Sequence, residues 1–387
     1  MKTFIVFSGV FVLVLLTAYN IWAEMDRVKE RTSTADTYSF YKNGLAYTEI
    51  GSDYGKGNII GMQPYLSTYD YSTASNFKSC LRKYFEALKK EHKITPRSIV
   101  VLPEYIGTWL VTANEKSEIY RQPSVDAAMT ILVIANLYKF FVNYCNAPAA
   151  DKRKYALFSM KAKQMCAIYE TTFSQLAKEY NCVIAAGSIA LPDVSINVDG
   201  HLEVTPNGKI YNTAVVFGPN GKIIPPIVKK VFPVDDEQIF STCGNTDQKP
   251  IFSTRVSRMG LLICAGSLFP QAYQRIAGKV DFVMIPSLSG TDSIWHTRWT
   301  GYKSFTNSAE FADTTLYNKI TEGDTWTRYS ITSRASQSGI HNGLNVFFSG
   351  SLWDLKPEGK VLILQNDSLT VLAPTQKQGR IVNLYLP

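Results

Sequence analysis

The run Met259 to Cys264, MGLLIC, limits the fold more than any other stretch of the chain. A short, continuous apolar run bounded by Gly260 and Gly266 reads as a strand buried on both faces. Such strands belong to sheets whose two faces are covered by other layers. The run stops at Cys264 and gives way to small residues before Phe269-Pro270. A thiol at a strand-to-turn corner can be approached from above, and the N–H groups just after it can stabilise an oxyanion. A buried structural cysteine has the same signature, because unpaired Cys is among the most buried residue types.

The pattern recurs along the chain. Asn58 to Gln63 (NIIGMQ) reads as a short strand, followed by Ser75 to His92, where Phe77, Leu81, Tyr84, Phe85 and Leu88 recur at helical spacing. Ser98 to Leu102 (SIVVL) is the next strand, and Pro103-Glu104-Tyr105 places Glu104 at its C-terminal end, the edge where ligands bind in helix-flanked sheets. A lone glutamate there is otherwise a solvated carboxylate. Ser124 is an N-cap candidate for the uncharged run Ala127 to Tyr138, which is too short to span a bilayer and reads as a core or interfacial helix. Lys152 to Tyr180 reads as a longer amphipathic helix and Cys182 to Ile189 as one buried strand. Gly208 to Pro219 and Lys222 to Val228 form a hairpin around Pro219-Asn220-Gly221, and its second strand runs into Lys229-Lys230. A lysine leaving such a strand can hold an anionic centre, although surface lysines are far commoner. Beyond Cys264 the pattern predicts a helix near Gln271 to Ala277, a strand Asp281 to Ile285, a Trp-rich segment Trp295 to Trp326 and a helical piece around Arg334. The last predicted strands are Asn345 to Ser349 and Lys360 to Leu364.

With 45% hydrophobic and 19% charged residues in 387, the chain is globular rather than disordered. Its net charge of +8 raises nucleic acid or anionic lipid as a partner. The basic residues are scattered and no nucleic-acid module accompanies them, so no nucleic-acid partner is expected, and a basic face near a membrane fits better. Residues 1–23 carry Lys2 and then no charge from Phe4 to Trp22. They read as a signal peptide cut after Ala23, or as an uncleaved membrane anchor with Tyr19 and Trp22 at the interface. Either reading makes the protein membrane-anchored or secreted, with its body extracytoplasmic. Residues 24–57 read as a linker and approach segment. Residues 58–387 form the domain, with a helical insertion near 121–154. The six cysteines contain no C-x-x-C pair, which gives no zinc or redox signature, and no Gly-rich phosphate loop occurs. No cofactor or metal ion is expected.

Glu104, Lys230 and Cys264 each follow an apolar strand directly, and strand ends on one side of a sheet converge. A carboxylate, an ammonium and a thiol supply a base, an oxyanion stabiliser and a nucleophile for acyl transfer. A papain-like pair would need His92, His201, His296 or His341 beside Cys264, and none has supporting context.

Three ordered motifs, Val100-Val101-Leu102-Pro103-Glu104, Tyr211-Asn212-Thr213-Ala214 with Lys229-Lys230, and Leu262-Ile263-Cys264 with Phe269-Pro270, make the sequence resemble the nitrilase, or carbon–nitrogen hydrolase, superfamily. Gly350-Ser351 and Pro357-Glu358-Gly359-Lys360-Val361-Leu362 add a trailing match. The resemblance implies an α/β fold, a four-layer α-β-β-α sandwich, often a homodimer. It implies Glu104 as general base, Lys230 as stabiliser of the tetrahedral intermediate, Cys264 as nucleophile and Glu237 as an assisting glutamate. The function so implied is amidase-type hydrolysis of a small-molecule amide or related acyl substrate. N-acyl transfer from the same acyl-enzyme and a catalytically inactive binding protein on this scaffold are the alternatives. The chain departs from the family pattern at Ala265-Gly266, at Phe232 and at Ala335-Ser336-Gln337-Ser338, positions that shape the neighbourhood of the pocket.

Overall fold

The structure is a computed structural model that describes residues 2–30, 44–290, 292–301, 313–357, 359–375 and 377–386. Glu358 of the trailing motif, the middle of the Trp-rich segment (302–312) and residues 31–43 of the approach segment lie outside the described residues.

After the N-terminal helix α1 (Lys2–Glu24) the chain builds a first sheet. Its strands are β1 (Leu45–Ile50), β2 (Asn58–Gln63), β3 (Ser98–Val101), β4 (Val183–Ala185), β5 (Ile189–Pro192), β6 (Ile210–Phe217) and β7 (Ile223–Lys229). A second sheet follows in the order β8 (Ile251–Ser253), β9 (Arg258–Leu261), β10 (Phe282–Ser287), β11 (Asn342–Phe347), β12 (Val361–Gln365) and β13 (Ser368–Leu372). The chain then returns to the first sheet as β14 (Gly379–Tyr385), inserted between β1 and β2. The central strands β2, β3 and β4 run parallel, as do β9, β10 and β11. This explains their uninterrupted apolar sequences, because both faces are covered.

Strand alternation sorts those side chains into layers. Ile59, Ile99 and Val101 face the second sheet and share one core with Met259, Leu261, Val283, Leu344 and Val346. Their neighbours Ile60 and Val100 face the opposite way, onto helices α2 (Ala74–Lys90) and, following the insertion helices α3 (Val125–Ala135) and α4 (Leu137–Cys145), α5 (Lys152–Glu179). Phe77, Leu81 and Phe85 of α2 and Tyr169 and Phe173 of α5 complete that core. Full burial of each such side chain contributes about 1.5–3 kcal/mol. Beyond the second sheet, Ile276 and Ile331 sit close over Gly260 and Gly343 and form part of the fourth layer. The result is the α-β-β-α sandwich.

Several sequence expectations need correction. The 24–57 segment is not linker throughout, since Leu45–Ile50 is an edge strand paired in parallel with β14. Cys182 to Ile189 is two strands, β4 and β5, broken at Gly187, whose φ is +63°. A Cβ there would stand 2.0 Å from the Pro103 carbonyl oxygen, so the break makes room for the loop that follows β3. The apolar run Ala127 to Tyr138 is not one helix. It belongs to α3 and α4, which meet at 98° across Asn136. The Asn136 side chain donates to Glu115 at 3.1 Å and to the Leu132 carbonyl at 2.9 Å, and these bonds hold the elbow. The predicted C-terminus stopped one hairpin strand and one closing strand short, β13 and β14. Among the described residues no single helix is long and apolar enough to cross a membrane, although the bent α3–α4 pair has the length and composition.

Candidate active site

The chain leaves β3 through Leu102-Pro103 into Glu104, and four hydrogen bonds fix this corner. Tyr105, with φ +59°, donates its N–H to Ser188 Oγ at 2.8 Å, and the Gly107 N–H donates to the Ser188 carbonyl at 3.0 Å. Asn212 on β6 donates through Nδ2 to Glu104 Oε1 at 2.7 Å. The Leu288 N–H, just after β10, donates to Glu104 Oε2 at 2.9 Å. Both carboxylate oxygens are thereby oriented.

Lys230 follows β7, and its N–H donates to the Asn212 carbonyl at 2.8 Å, so hairpin register places it beside the same asparagine. Its Nζ donates to Glu104 Oε1 at 2.8 Å and to Glu237 Oε2 at 2.6 Å. Lys229 takes the other direction, pairing with Asp193 and lying 4.5 Å from the Tyr211 ring centroid. Glu237 sits in the turn Asp235–Gln238, where it accepts the Val234 N–H at 2.8 Å and the Tyr105 hydroxyl.

Cys264 opens a 3₁₀ turn, Cys264–Leu268, just beyond β9 with φ +50°. That conformation is uncommon for a non-glycine residue and is typical of side chains held at a sharp corner. The thiol donates to the Leu288 carbonyl oxygen at 3.7 Å, on the same residue whose N–H holds Glu104 Oε2, and it feels the Glu104 charge. The Ser267 hydroxyl bonds the Cys264 carbonyl at 2.8 Å and bolts the turn in place. Phe232 stacks on Phe269 with centroids 4.1 Å apart. A cavity of about 470 Å³ runs along Lys230, Phe232, Ile263, Gly266 and Phe269 on this flank.

All four ionisable side chains are buried, with exposures of 1% for Glu104, 2% for Lys230, 5% for Cys264 and 6% for Glu237. Burial holds the Cys264 thiol far above the usual thiol range, and the Glu104 charge adds to the effect. Burial also raises the Glu104 carboxyl against the pull of Lys230, with Glu237 pushing the same way as burial. For Lys230 burial alone would lower the pKa, but the charges around it outweigh that, Cys264 once it is ionised and Glu104 and Glu237 at rest, and the ammonium stays protonated. The resting arrangement is a protonated thiol beside a carboxylate of raised basicity, with a permanent ammonium between two glutamates. It can accept the thiol proton at Glu104 and hold developing negative charge near Lys230.

The structure brings Glu104, Lys230, Glu237 and Cys264 together but corrects how they meet. Glu104 and Lys230 follow strands of the first sheet and Cys264 a strand of the second, so the site lies across two sheets rather than at the edge of one. The sequence motifs contained Tyr105 and Asn212 without giving them a role in the site, and the Leu288 N–H was not anticipated. Asn212 carried a readable signal, because an amide inside an apolar strand needs a buried partner. Of the histidines, His201 pairs with Glu170 and His341 with Asp367, both histidines largely exposed.

A carbon–nitrogen hydrolase family model matches residues 59–302, and the chain belongs to that family. Among solved structures it is similar to the amidase from Nesterenkonia sp. AN1, in a mutant whose active-site cysteine has added acrylamide. The two share 13% identity with a TM-score of 0.50, over 86% of this chain and 93% of the amidase. A cysteine-to-serine mutant of the same amidase gives 13% identity and a TM-score of 0.50, over 86% and 92% of the two chains. The chain is also similar to Saccharomyces cerevisiae Nit3, a member of branch 10 of the nitrilase superfamily, at 16% identity with a TM-score of 0.47, over 84% and 88%. No curated protein matches in sequence. The protein is a carbon–nitrogen hydrolase with the nitrilase fold.

Proposed function

We propose that the protein hydrolyses a small non-peptide amide through a thioester on Cys264. Glu104 takes the thiol proton as the sulfur adds to the carbonyl carbon, and the Lys230 ammonium stabilises the resulting oxyanion. When the intermediate collapses, the C–N bond breaks and Glu104 returns the proton to the departing amine. Glu104 then takes a proton from water as its oxygen adds to the thioester, which releases the acid and restores the thiol. Glu237 assists by holding Lys230 in place. The observation that carries this reading is the buried cluster in which Lys230 bridges Glu237 and Glu104, while Glu104 and the Cys264 thiol meet at the Leu288 backbone.

The test is intact-mass analysis with short amides. An acyl adduct on the parent protein is expected, with no adduct and no turnover in Cys264→Ala. Full turnover by Cys264→Ala would sink the mechanism. Water is the acceptor on this reading, so acid must form even with an amine in large excess. Formation of the exchanged amide instead would make the protein an N-acyltransferase.

The same proposal keeps the protein at a membrane with residues 1–23 retained. Supporting it, Ala23 is only 3% exposed, packed where α1 meets the body. A mature chain from intact cells that begins at Glu24 would refute retention.

A further inference from the structure

Helix α1 is fastened to the body by a polar lock. Lys116 Nζ, almost wholly buried, donates to the carbonyls of Trp22 at 2.8 Å and Met25 at 2.7 Å and lies 4.6 Å from the Trp22 ring centroid. Arg27 donates to Glu115 at 2.8 Å and to the Ala135 carbonyl at 3.2 Å. The Tyr19 hydroxyl donates to the Ile134 carbonyl at 3.0 Å and accepts the Leu137 N–H at 3.1 Å, at the elbow between α3 and α4. Glu115 is fully buried and also takes Lys161 Nζ at 2.6 Å and Asn136 Nδ2 at 3.1 Å. A charge set of this burial resists loss of any partner. Helix α1 and the elbow therefore form one unit rather than a body on a loose tether.

That unit turns its apolar side chains outward. Phe11, Leu13 and Val14 of α1 are each more than half exposed, and α4 presents Tyr138, Phe141 and Val142. Between α3, α4 and α5 opens a groove of about 1020 Å³ walled by Met129, Val133, Phe141, Phe158 and Phe240. Basic residues flank it. Lys139 lies on α4, Arg153 lines the groove, Lys152 lies 5.9 Å from the Tyr144 ring and Lys154 5.5 Å from the Phe240 ring. The acidic residues on this stretch are Asp126 and Asp151. Apolar and aromatic side chains bordered by lysine and arginine fit the boundary of a bilayer whose headgroups are anionic.

We propose that α1 and the α3–α4 elbow form a single docking face for an anionic lipid bilayer, with α1 in the apolar layer and α4 along the headgroups. The face lies on the flank of the catalytic centre. Phe158 and Phe240 pack against the cluster containing Tyr105, and Phe240 is three residues beyond Glu237. Docking by two rigidly joined elements holds the centre at a fixed height and tilt over the lipid, which a flexible anchor would not.

The test uses the full chain with Cys145→Ser and Cys243→Ser, carrying a bimane at Phe141→Cys or, as control, at Ser368→Cys on β13. Vesicles contain phosphatidylcholine with about a third phosphatidylglycerol and a headgroup-zone nitroxide lipid. Quenching at position 141 is expected to exceed that at 368 by at least about twofold. Equal quenching in protein that floats with the vesicles would mean that α1 alone holds the chain, and would overturn the proposal. So would crosslinking between copies at position 141 in place of quenching, because a second copy would then cover the face. The variant Lys152→Glu/Arg153→Glu/Lys154→Glu is expected to partition about tenfold less onto these vesicles and unchanged onto pure phosphatidylcholine. Equal partition of the parent onto both vesicle types would overturn the anionic preference.

Discussion

At the scale of single residues, the site is governed by which of its charges burial permits. Glu104 carries the charge that can change during turnover, since Lys230 is held protonated and Cys264 is held as the thiol. On the proposed mechanism Glu104 must be ionised to act as base, so the acid limb of kcat/KM lies above the ordinary glutamate pKa of about 4.3. Glu237 contributes negative charge that raises Glu104. Glu237→Gln removes it, so Glu104 ionises more easily and the acid limb moves to lower pH, while kcat falls by about tenfold or more as Lys230 loses an anchor. A pH–rate profile checks both. A limb that stays in place would reduce Glu237 to a structural side chain. The raised Glu104 carboxyl also bears on stability. The folded state binds this proton more tightly than the unfolded one, so the contribution is full below the unfolded pKa and is lost as pH rises through the folded pKa. Glu104→Gln removes that loss, and thermal melts from about pH 4 upward should fall less steeply for this variant than for the parent.

At the scale of elements, the site depends on corners as much as strands. Gly187 separates β4 from β5 with φ +63° and lies against the Pro103 carbonyl. Gly187→Ala combines an unfavourable backbone conformation with a clash at 2.0 Å, and the atom in the way is backbone of the loop that carries Glu104. A loss of at least about 2 kcal/mol in unfolding free energy is expected, together with a drop in kcat at temperatures where the variant remains folded. Denaturant titration and steady-state kinetics measure the two separately. This corner also shows the limit of what was legible in the sequence. Continuous apolar runs announced β2, β3, β6, β9 and β10, because full burial leaves that mark on composition; Glu104 and Cys264 follow two of these runs, and Lys230 follows the largely half-buried β7. The break at Gly187 was hidden inside CVIAAGSI, where small residues suit a strand and a turn equally. The break at Asn136 was hidden because the partner that holds it, Glu115, comes from another element. Strands β1 and β14 are distant in sequence and exist by pairing with each other, which no local window records. Glu104, Lys230, Glu237 and Cys264 could be read from motifs, whereas Tyr105 and the Leu288 N–H act through positions that only the assembled loops create.

At the scale of the whole molecule, the centre exists only while two sheets keep their spacing, because the base and the lysine ride on one and the nucleophile on the other. Gly61 on β2 marks a close approach between them that a side chain would disturb. A Cβ built there would lie 2.8 Å from Leu344 Cδ2 and 3.2 Å from Val346 Cγ2, both on β11 of the opposite sheet. Gly61→Val adds three carbons to this close-packed layer, and a β-branched side chain has little rotational freedom to avoid the contact. Overpacking of this kind costs about 1–3 kcal/mol. The kinetic effect should be larger than the stability loss suggests, because the sheets must part or slide to admit the side chain. A displacement of about 1 Å between reacting groups can cost about a hundredfold in rate. The expected result is a folded variant with a modestly lower midpoint in urea, kcat reduced by about ten- to a hundredfold, and slower acylation of Cys264 by amide. Undiminished acylation in a variant destabilised by the expected amount would show that the two sheets can move apart without moving Cys264 from Glu104, and would locate the rigidity of the centre in its own loops.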